Sequence, residues 1–287
     1  MEREVGYARG SIPAYRCTVG AHRGSSVKYL ENSLQALKAA DEDPRYAFIE
    51  FDVQYTKDSQ IIVFHDQSLF RLFGSMNTVG NSTYAQLLDK SNGAISLYSD
   101  VMDVLSHKRL NIEIKSQGDA AEDTLLADAI MSDIRARGRE KDVMMSSISV
   151  DVIRYIKKKY PSMPTGQIFW LTASTYVHLD ALTEGLYGKF NKSEADYLML
   201  YAANVRNIES LLKHKPVAKT VMFWNFDDCM YMIHHSSSDR LWNTSSLGHF
   251  WQNLRYRIGF NRFDPKPLGH REIRTIKTDP YGMPSGL

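Results

Sequence analysis

The sequence is short of several things, and each shortage excludes a class of protein. Only two cysteines, Cys17 and Cys229, occur in 287 residues. That is too few for a disulfide scaffold, so a reducing compartment is the expectation. No apolar run approaches the roughly 18 residues that a membrane-spanning helix needs. Residues 1–16 mix charged residues, glycine and aromatics, with no stretch suited to a signal peptide, and a cytoplasmic location is expected. Charge of one sign is scarce too. The 35 basic and 33 acidic residues leave a net +2, which argues against a dedicated nucleic-acid surface. The one dense basic run, Lys157, Lys158 and Lys159, follows an apolar helical stripe and reads as a solvated helix face.

What is present is a regular alternation. β-rich runs at 17–24, 48–55, 60–65, 110–115, 143–149, 166–171, 197–201 and 218–226 are separated by helical patterns, and 273–278 is the last candidate strand. In 32–41, Leu34, Leu37 and Ala40 share a face behind Asn32 or Ser33 as N-cap. Val150, Ile153, Ile156 and Tyr160 mark a second stripe, and Val205, Ile208, Leu211 and Leu212 a third. Unbroken β/α alternation implies a parallel sheet. Counting 48–65 as one strand plus a hairpin arm gives about eight units, the number that closes an α/β (β/α)₈ barrel. No linker or repeat interrupts the chain, so 1–287 reads as a single domain. Residues 227–272 are longer than a crossover needs and read as an insertion: a cap over the barrel mouth, or a packing or oligomer contact.

In such a barrel the chemistry sits where strands run into their following loops. Four clusters fall there: His22-Arg23-Gly24, Glu50-Phe51-Asp52, His65-Asp66 and Glu113-Ile114-Lys115. Glu50 and Asp52 are two apart and so face the same side of their strand. Phe48, Ile49, Phe51 and Val53 around them suggest burial on both faces. Two like charges inside a barrel are unfavourable unless something neutralises them, and a divalent cation, Mg²⁺ or Ca²⁺, would choose such oxygen ligands. Glu113 could be a third ligand. Taken singly, each cluster has a plain alternative: a surface turn, a solvated strand, a core histidine, or Lys115 pairing structurally with a carboxylate. Taken together, two histidines, three carboxylates, an arginine and a lysine suit cleavage of a phosphate diester.

The ordered strings His22-Arg23-Gly24, Glu31-Asn32-Ser33, Ile49-Glu50-Phe51-Asp52-Val53, Thr56-Lys57-Asp58, Val63-Phe64-His65-Asp66 and Glu113-Ile114-Lys115 resemble the glycerophosphodiester phosphodiesterase family. Lys277-Thr278-Asp279-Pro280 looks like its closing strand, and Trp224 sits near the place of its late tryptophan. The resemblance implies a TIM barrel that hydrolyses glycerophosphodiesters to glycerol 3-phosphate and an alcohol. It implies Glu50, Asp52 and Glu113 as metal ligands and His22 and His65 as acid and base. Arg23 and Lys115 would contact the phosphate, and Trp224 would wall the substrate pocket. The nucleophile would be water or a hydroxyl of the substrate's own glycerol.

The chain departs from the family at Leu30, where proline is common, at Ser59, where glycine is usual, and at Leu72, where threonine is usual. Residues 67–95 are short and 227–272 long. These departures bear on the substrate rather than the chemistry. A lysophospholipid or sphingolipid substrate, with some membrane contact, stays open at this point, as does a barrel that binds phosphate ligands without turning them over. Two further readings fit less well. Sphingomyelinase D-like enzymes place their histidines closer together, and zinc amidohydrolases need two alternating histidines where this chain has His22-Arg23.

Overall fold

The computed structural model describes residues 15–169, 180–201, 220–224 and 229–235. Ten strands are present among them: β1 Tyr15–His22, β2 Phe48–Tyr55, β3 Ile61–Val63, β4 Ser96–Leu97, β5 Arg109–Ile114, β6 Val143–Ser147, β7 Thr165–Phe169, β8 Tyr197–Tyr201, β9 Thr220–Trp224 and β10 Cys229–His235. The helices are α1 Leu34–Glu42, α2 Phe70–Phe73, α3 Tyr84–Lys90, α4 Tyr98–Val104, α5 Ala120–Ala136, α6 Val150–Lys159 and α7 Asp180–Lys192. Eight strands close a barrel in the order β1, β2, β5, β6, β7, β8, β9, β10 and back to β1. Both β3 and β4 stand outside it as a hairpin extension of β2.

Seven staves run parallel, as the β/α alternation demands, while β10 runs antiparallel to both of its neighbours. Only four residues link β9 to β10, and a link that short can return the chain but cannot carry it through a crossover. This corrects part of the sequence reading. The described portion of the 227–272 stretch is a barrel stave, with Met230 paired to Trp224 and Gly20. Residues 236–272, the expected strand at 273–278 and the stripe from Val205 to Leu212 lie outside the described residues.

Local sequence explains the helices. Ser33 caps α1 by accepting from the Ala36 N–H, and Ala36, Leu37 and Ala40 pack inward. Asp119 caps α5 through two backbone N–H groups. In α6 the expected stripe is offset: Val152, Ile153 and Ile156 are buried, while Val150 is exposed. Lys157 is not a solvated face either, since its ammonium is mostly covered and meets Asp196 at 3.0 Å. Among the described residues, no helix is long and apolar enough to cross a membrane.

The core has two layers relevant to the site. Between strands and helices lies the large shell containing Val19, Ile49, Phe51, Ile112, Leu126 and Ile153. Inside the barrel, Phe48, Met144, Ile168, Met199, Met222, Trp224 and Met230 form an apolar plug. Gly20 makes room for it, because a Cβ there would lie 2.3 Å from the Phe48 ring. With its interior filled, the barrel offers chemistry only at the ends of its strands.

Candidate active site

The register of β1, β2 and β5 assembles the site. His22 pairs with Glu50, and Asp52 with Glu113. Along its β1-facing edge, β2 bonds β1 through Phe48–Glu50 and then β3 through Val53–Tyr55. The chain leaving β1 therefore turns away beside Glu50, and the chain leaving β3 arrives beside Asp52. The Phe64 N–H donates to the Asp52 carbonyl at 3.0 Å, which sets His65 over the same strand. Gln54, next on that face, holds the segment by donating to the carbonyls of Phe64 (2.8 Å) and Asp66 (3.0 Å).

Carboxylate oxygens of Glu50, Asp52 and Glu113 lie within 4.8 Å of one another. Glu50 and Asp52 are essentially inaccessible to solvent. Burial, then the charges of Asp52 and Glu113, push the Glu50 carboxyl well above its ordinary range. Glu113 is also raised, by burial and by Asp52 against the pull of Lys115. Asp52 goes the other way: burial opposes ionisation, but Lys115, His65 and Arg23 hold it well below the usual range. Three carboxylates this close cannot all ionise unaided. Asp52 Oδ1 is buried and has no aligned hydrogen-bond donor, meeting Lys115 Nζ only as an ion pair at 2.8 Å. An all-oxygen donor set with an underserved buried oxygen fits a hard divalent cation.

The cationic groups surround this cluster. Lys115 Nζ bridges Asp52 and Glu113, at 2.8 and 2.5 Å. Arg23 adopts a left-handed backbone (φ 59°), which aims its N–H at Glu50 Oε2, 2.9 Å away. Its guanidinium reaches Glu31 at 2.8 Å and Asp52 at 3.5 Å. Such a conformation costs a non-glycine residue about 1–3 kcal/mol and is held only where its surroundings enforce it. Gly24 (φ 76°) completes the turn, and a Cβ there would sit 2.7 Å from the α1 backbone at Ala36.

Both histidines are present and differently held. His22 Nε2 lies 3.9 Å from Glu50 Oε2. Burial, then the Arg23 charge, lower the His22 pKa well below 6.5, so it stays neutral. His65 Nδ1 meets Asp66 Oδ1 at 2.6 Å, and Asp66 in turn accepts from Arg71 Nε at 2.6 Å. Trp224, the last residue of β9, is buried at the same end of the barrel, with its ring edge-on to Tyr201.

Four residues given no part in the chemistry from sequence complete the frame. Glu31 accepts from both Arg23 (2.8 Å) and Arg71 (2.9 and 2.5 Å), tying the loop after β1 to the segment after β3. Asn32 leaves the N-cap to Ser33 and, at φ 58°, donates to Asp52 Oδ2 at 2.7 Å. Asp66 and Gln54 orient His65. Their one signal in the sequence was position: polar residues within or beside the motif strings.

Fold and site together define a barrel of the phosphoric diester hydrolase class. Residues 22–238 match the glycerophosphoryl diester phosphodiesterase family, and the chain belongs to it. It is 27% identical over 219 residues to the glycerophosphodiester phosphodiesterase of Bacillus subtilis, covering 68% of this chain and 74% of that one. To the human lysophospholipase D GDPD3 it is 25% identical over 187 residues, 58% of this chain. That alignment spans only 57% of the human protein. Among solved structures, the glycerophosphodiester phosphodiesterase of Thermotoga maritima aligns with a TM-score of 0.52 at 25% identity, covering 72% of this chain and 85% of that one. A phosphodiesterase of Oleispira antarctica, solved with the product sn-glycerol-3-phosphate, aligns with a TM-score of 0.54 at 20% identity, covering 73% and 84%, and shares the fold.

Proposed function

We propose that this chain hydrolyses glycerophosphodiesters to glycerol 3-phosphate and an alcohol, using a divalent cation, Mg²⁺ or Ca²⁺. The observation that carries the reading is the cluster of Glu50, Asp52 and Glu113, within 4.8 Å of one another, flanked by two histidines and two cations. Those carboxylates would hold the cation, which when bound stabilises charge on the phosphoryl oxygens. His22, kept neutral by burial, suits removal of a proton from the attacking hydroxyl. His65, its Nδ1 held by Asp66, would give a proton from Nε2 to the leaving alkoxide. Arg23 and Lys115 would meet the phosphate oxygens, and Trp224 would wall the pocket. In this reading the chain needs no second protein and takes a small-molecule substrate.

The test is release of glycerol 3-phosphate from a panel of glycerophosphodiesters, with EDTA and with Mg²⁺ or Ca²⁺ restored. Metal-dependent release supports the reading. Absence of release from every substrate with metal bound removes it. A second reading, cleavage of the head group from a lysophospholipid, draws on the human relative.

A further inference from the structure

Two residues inside the barrel are wholly buried and yet leave polar atoms without a hydrogen-bond partner. These atoms are Nδ2 and Oδ1 of Asn111 and Oγ of Ser146. Burying such groups unpaired is unfavourable, so each calls for an explanation. Their places on the strands supply one. Asn111 lies two residues before Glu113 on β5, so both side chains leave the same face. In register it stands between Glu50 on β2 and Met144 on β6. Ser146 lies two residues after Met144 and stands between Glu113 on β5 and Gly166 on β7. Met144 belongs to the apolar plug, and Gly166 has no side chain. Each residue therefore has one register neighbour whose side chain can accept a hydrogen bond: Glu50 for Asn111 and Glu113 for Ser146. Both acceptors belong to the acidic cluster.

Buried polar residues on the opposite face of the same strands behave differently. Ser147 donates its hydroxyl to the Ile114 carbonyl at 2.7 Å. Gln167 donates to the carbonyls of Ser147 (3.3 Å) and Ile148 (3.0 Å). Those groups serve the fold, whereas Asn111 and Ser146 make no such bond. The third carboxylate of the cluster already has a neutral donor, since Asn32 Nδ2 meets Asp52 Oδ2 at 2.7 Å. A carboxylate that gives one oxygen to a cation is oriented by a donor on the other, and an amide or hydroxyl does this without adding a competing charge.

We infer that Asn111 and Ser146 are positioning residues for the cation: the Asn111 amide donates to Glu50 and the Ser146 hydroxyl to Glu113, turning both carboxylates toward the bound metal. The inference rests on the metal-dependent reading proposed above, and its test does not use turnover. The full chain is titrated calorimetrically with Mg²⁺ and with Ca²⁺, beside melting scans in EDTA. Ser146→Ala withdraws one oxygen, and Asn111→Leu replaces the amide by an apolar group of nearly the same branched shape. Each is expected to weaken cation binding by about 10- to 100-fold. In EDTA each should melt at or above the wild-type temperature, because an unpaired polar group has left the interior. Gln167→Met is the contrast. It loses bonds to two carbonyls and should melt lower, while binding the cation within about twofold of the wild type.

Wild-type affinity in either variant that folds would overturn the assignment. So would a melting loss in EDTA as large as that of Gln167→Met, which would make the two polar groups structural. If Asn111→Leu does not fold, Ser146→Ala decides alone. No cation binding by the wild type would sink the metal-dependent reading and the assignment with it, whereas equal binding by wild type and variants would sink the assignment only.

Discussion

The two ends of this barrel use buried charge in opposite ways. At the amino end, Asp41 is buried and satisfied. Its carboxylate accepts from the backbone N–H groups of Ser106, His107 and Lys108 and from the His107 ring, pinning the turn that enters β5. At the carboxyl end, Glu50, Asp52 and Glu113 crowd one another, and two of the three are pushed toward keeping a proton. One end spends a carboxylate on stability, and the other accumulates carboxylates at stability's expense. Barrels of this architecture divide their ends in this manner, with chemistry at the carboxyl face.

Breaking that comparison gives predictions of graded size. The largest effect is expected from His22→Ala and His65→Ala, each lowering kcat by about 10²- to 10⁴-fold. Thermal melting should stay near that of the wild type, and steady-state kinetics beside calorimetry checks both. A melting loss as large as that of a core variant would make these histidines structural.

Glu50→Gln sharpens the contrast. A neutral side chain of the same shape should keep or raise the melting temperature in EDTA while losing the stabilisation that added Mg²⁺ or Ca²⁺ gives the wild type. Melting scans with and without metal read this directly, with no activity measurement. A melting point that falls in EDTA would mean that the ionised carboxylate is needed for folding.

Asp41→Ala tests the other end. It leaves three backbone donors without their acceptor and should cost about 2–3 kcal/mol of stability. Turnover under folded conditions should be unchanged. Urea unfolding beside kinetics decides, and a drop in kcat would join the two ends.

Arg71→Ala is expected to be milder, because Arg71 is half exposed and screened by solvent. Loosening Glu31 and Asp66 should raise KM or lower kcat by about tenfold or less, with restoration by Arg71→Lys only partial, since lysine lacks the fork that reaches both carboxylates.

The smallest effect concerns pH. The folded-state pKa of His22 is depressed, so its neutral form persists as pH falls through 6.5 and is lost only below that. A positive metal beside Glu50 pushes in the same direction. The acid limb of kcat/KM should therefore lie below 6.5, and a limb above it would move the base role from His22.

Much of this was legible in the chain. Each parallel stave left a β-rich run, and the period-two spacing of Glu50 and Asp52 put both on one face without knowledge of their neighbours. The motif strings located the three carboxylates that cluster and both histidines. The antiparallel β10 was not legible, because Cys229–Ile233 is a short continuous apolar run with no alternation, and the direction of such a strand depends on the link before it. Val150 shared the apolar stripe of α6 but is the helix's first residue and is exposed, a difference that the stripe's period does not encode. The supporting pairs, Glu31 with Arg71 and Asn32 with Asp52, join residues 40 and 20 positions apart, a separation that no local pattern encodes.

The sequence by itself determined the elements, the inward face of each strand and the inventory of chemical groups, since these follow from side-chain period and residue type. Tertiary structure alone decided which groups meet. The register of β1 and β5 on β2 and the takeover of that strand's edge by β3 bring four separate segments to one place. Only that convergence, in a buried and poorly solvated space, sets the carboxylates against one another and so calls for a cation.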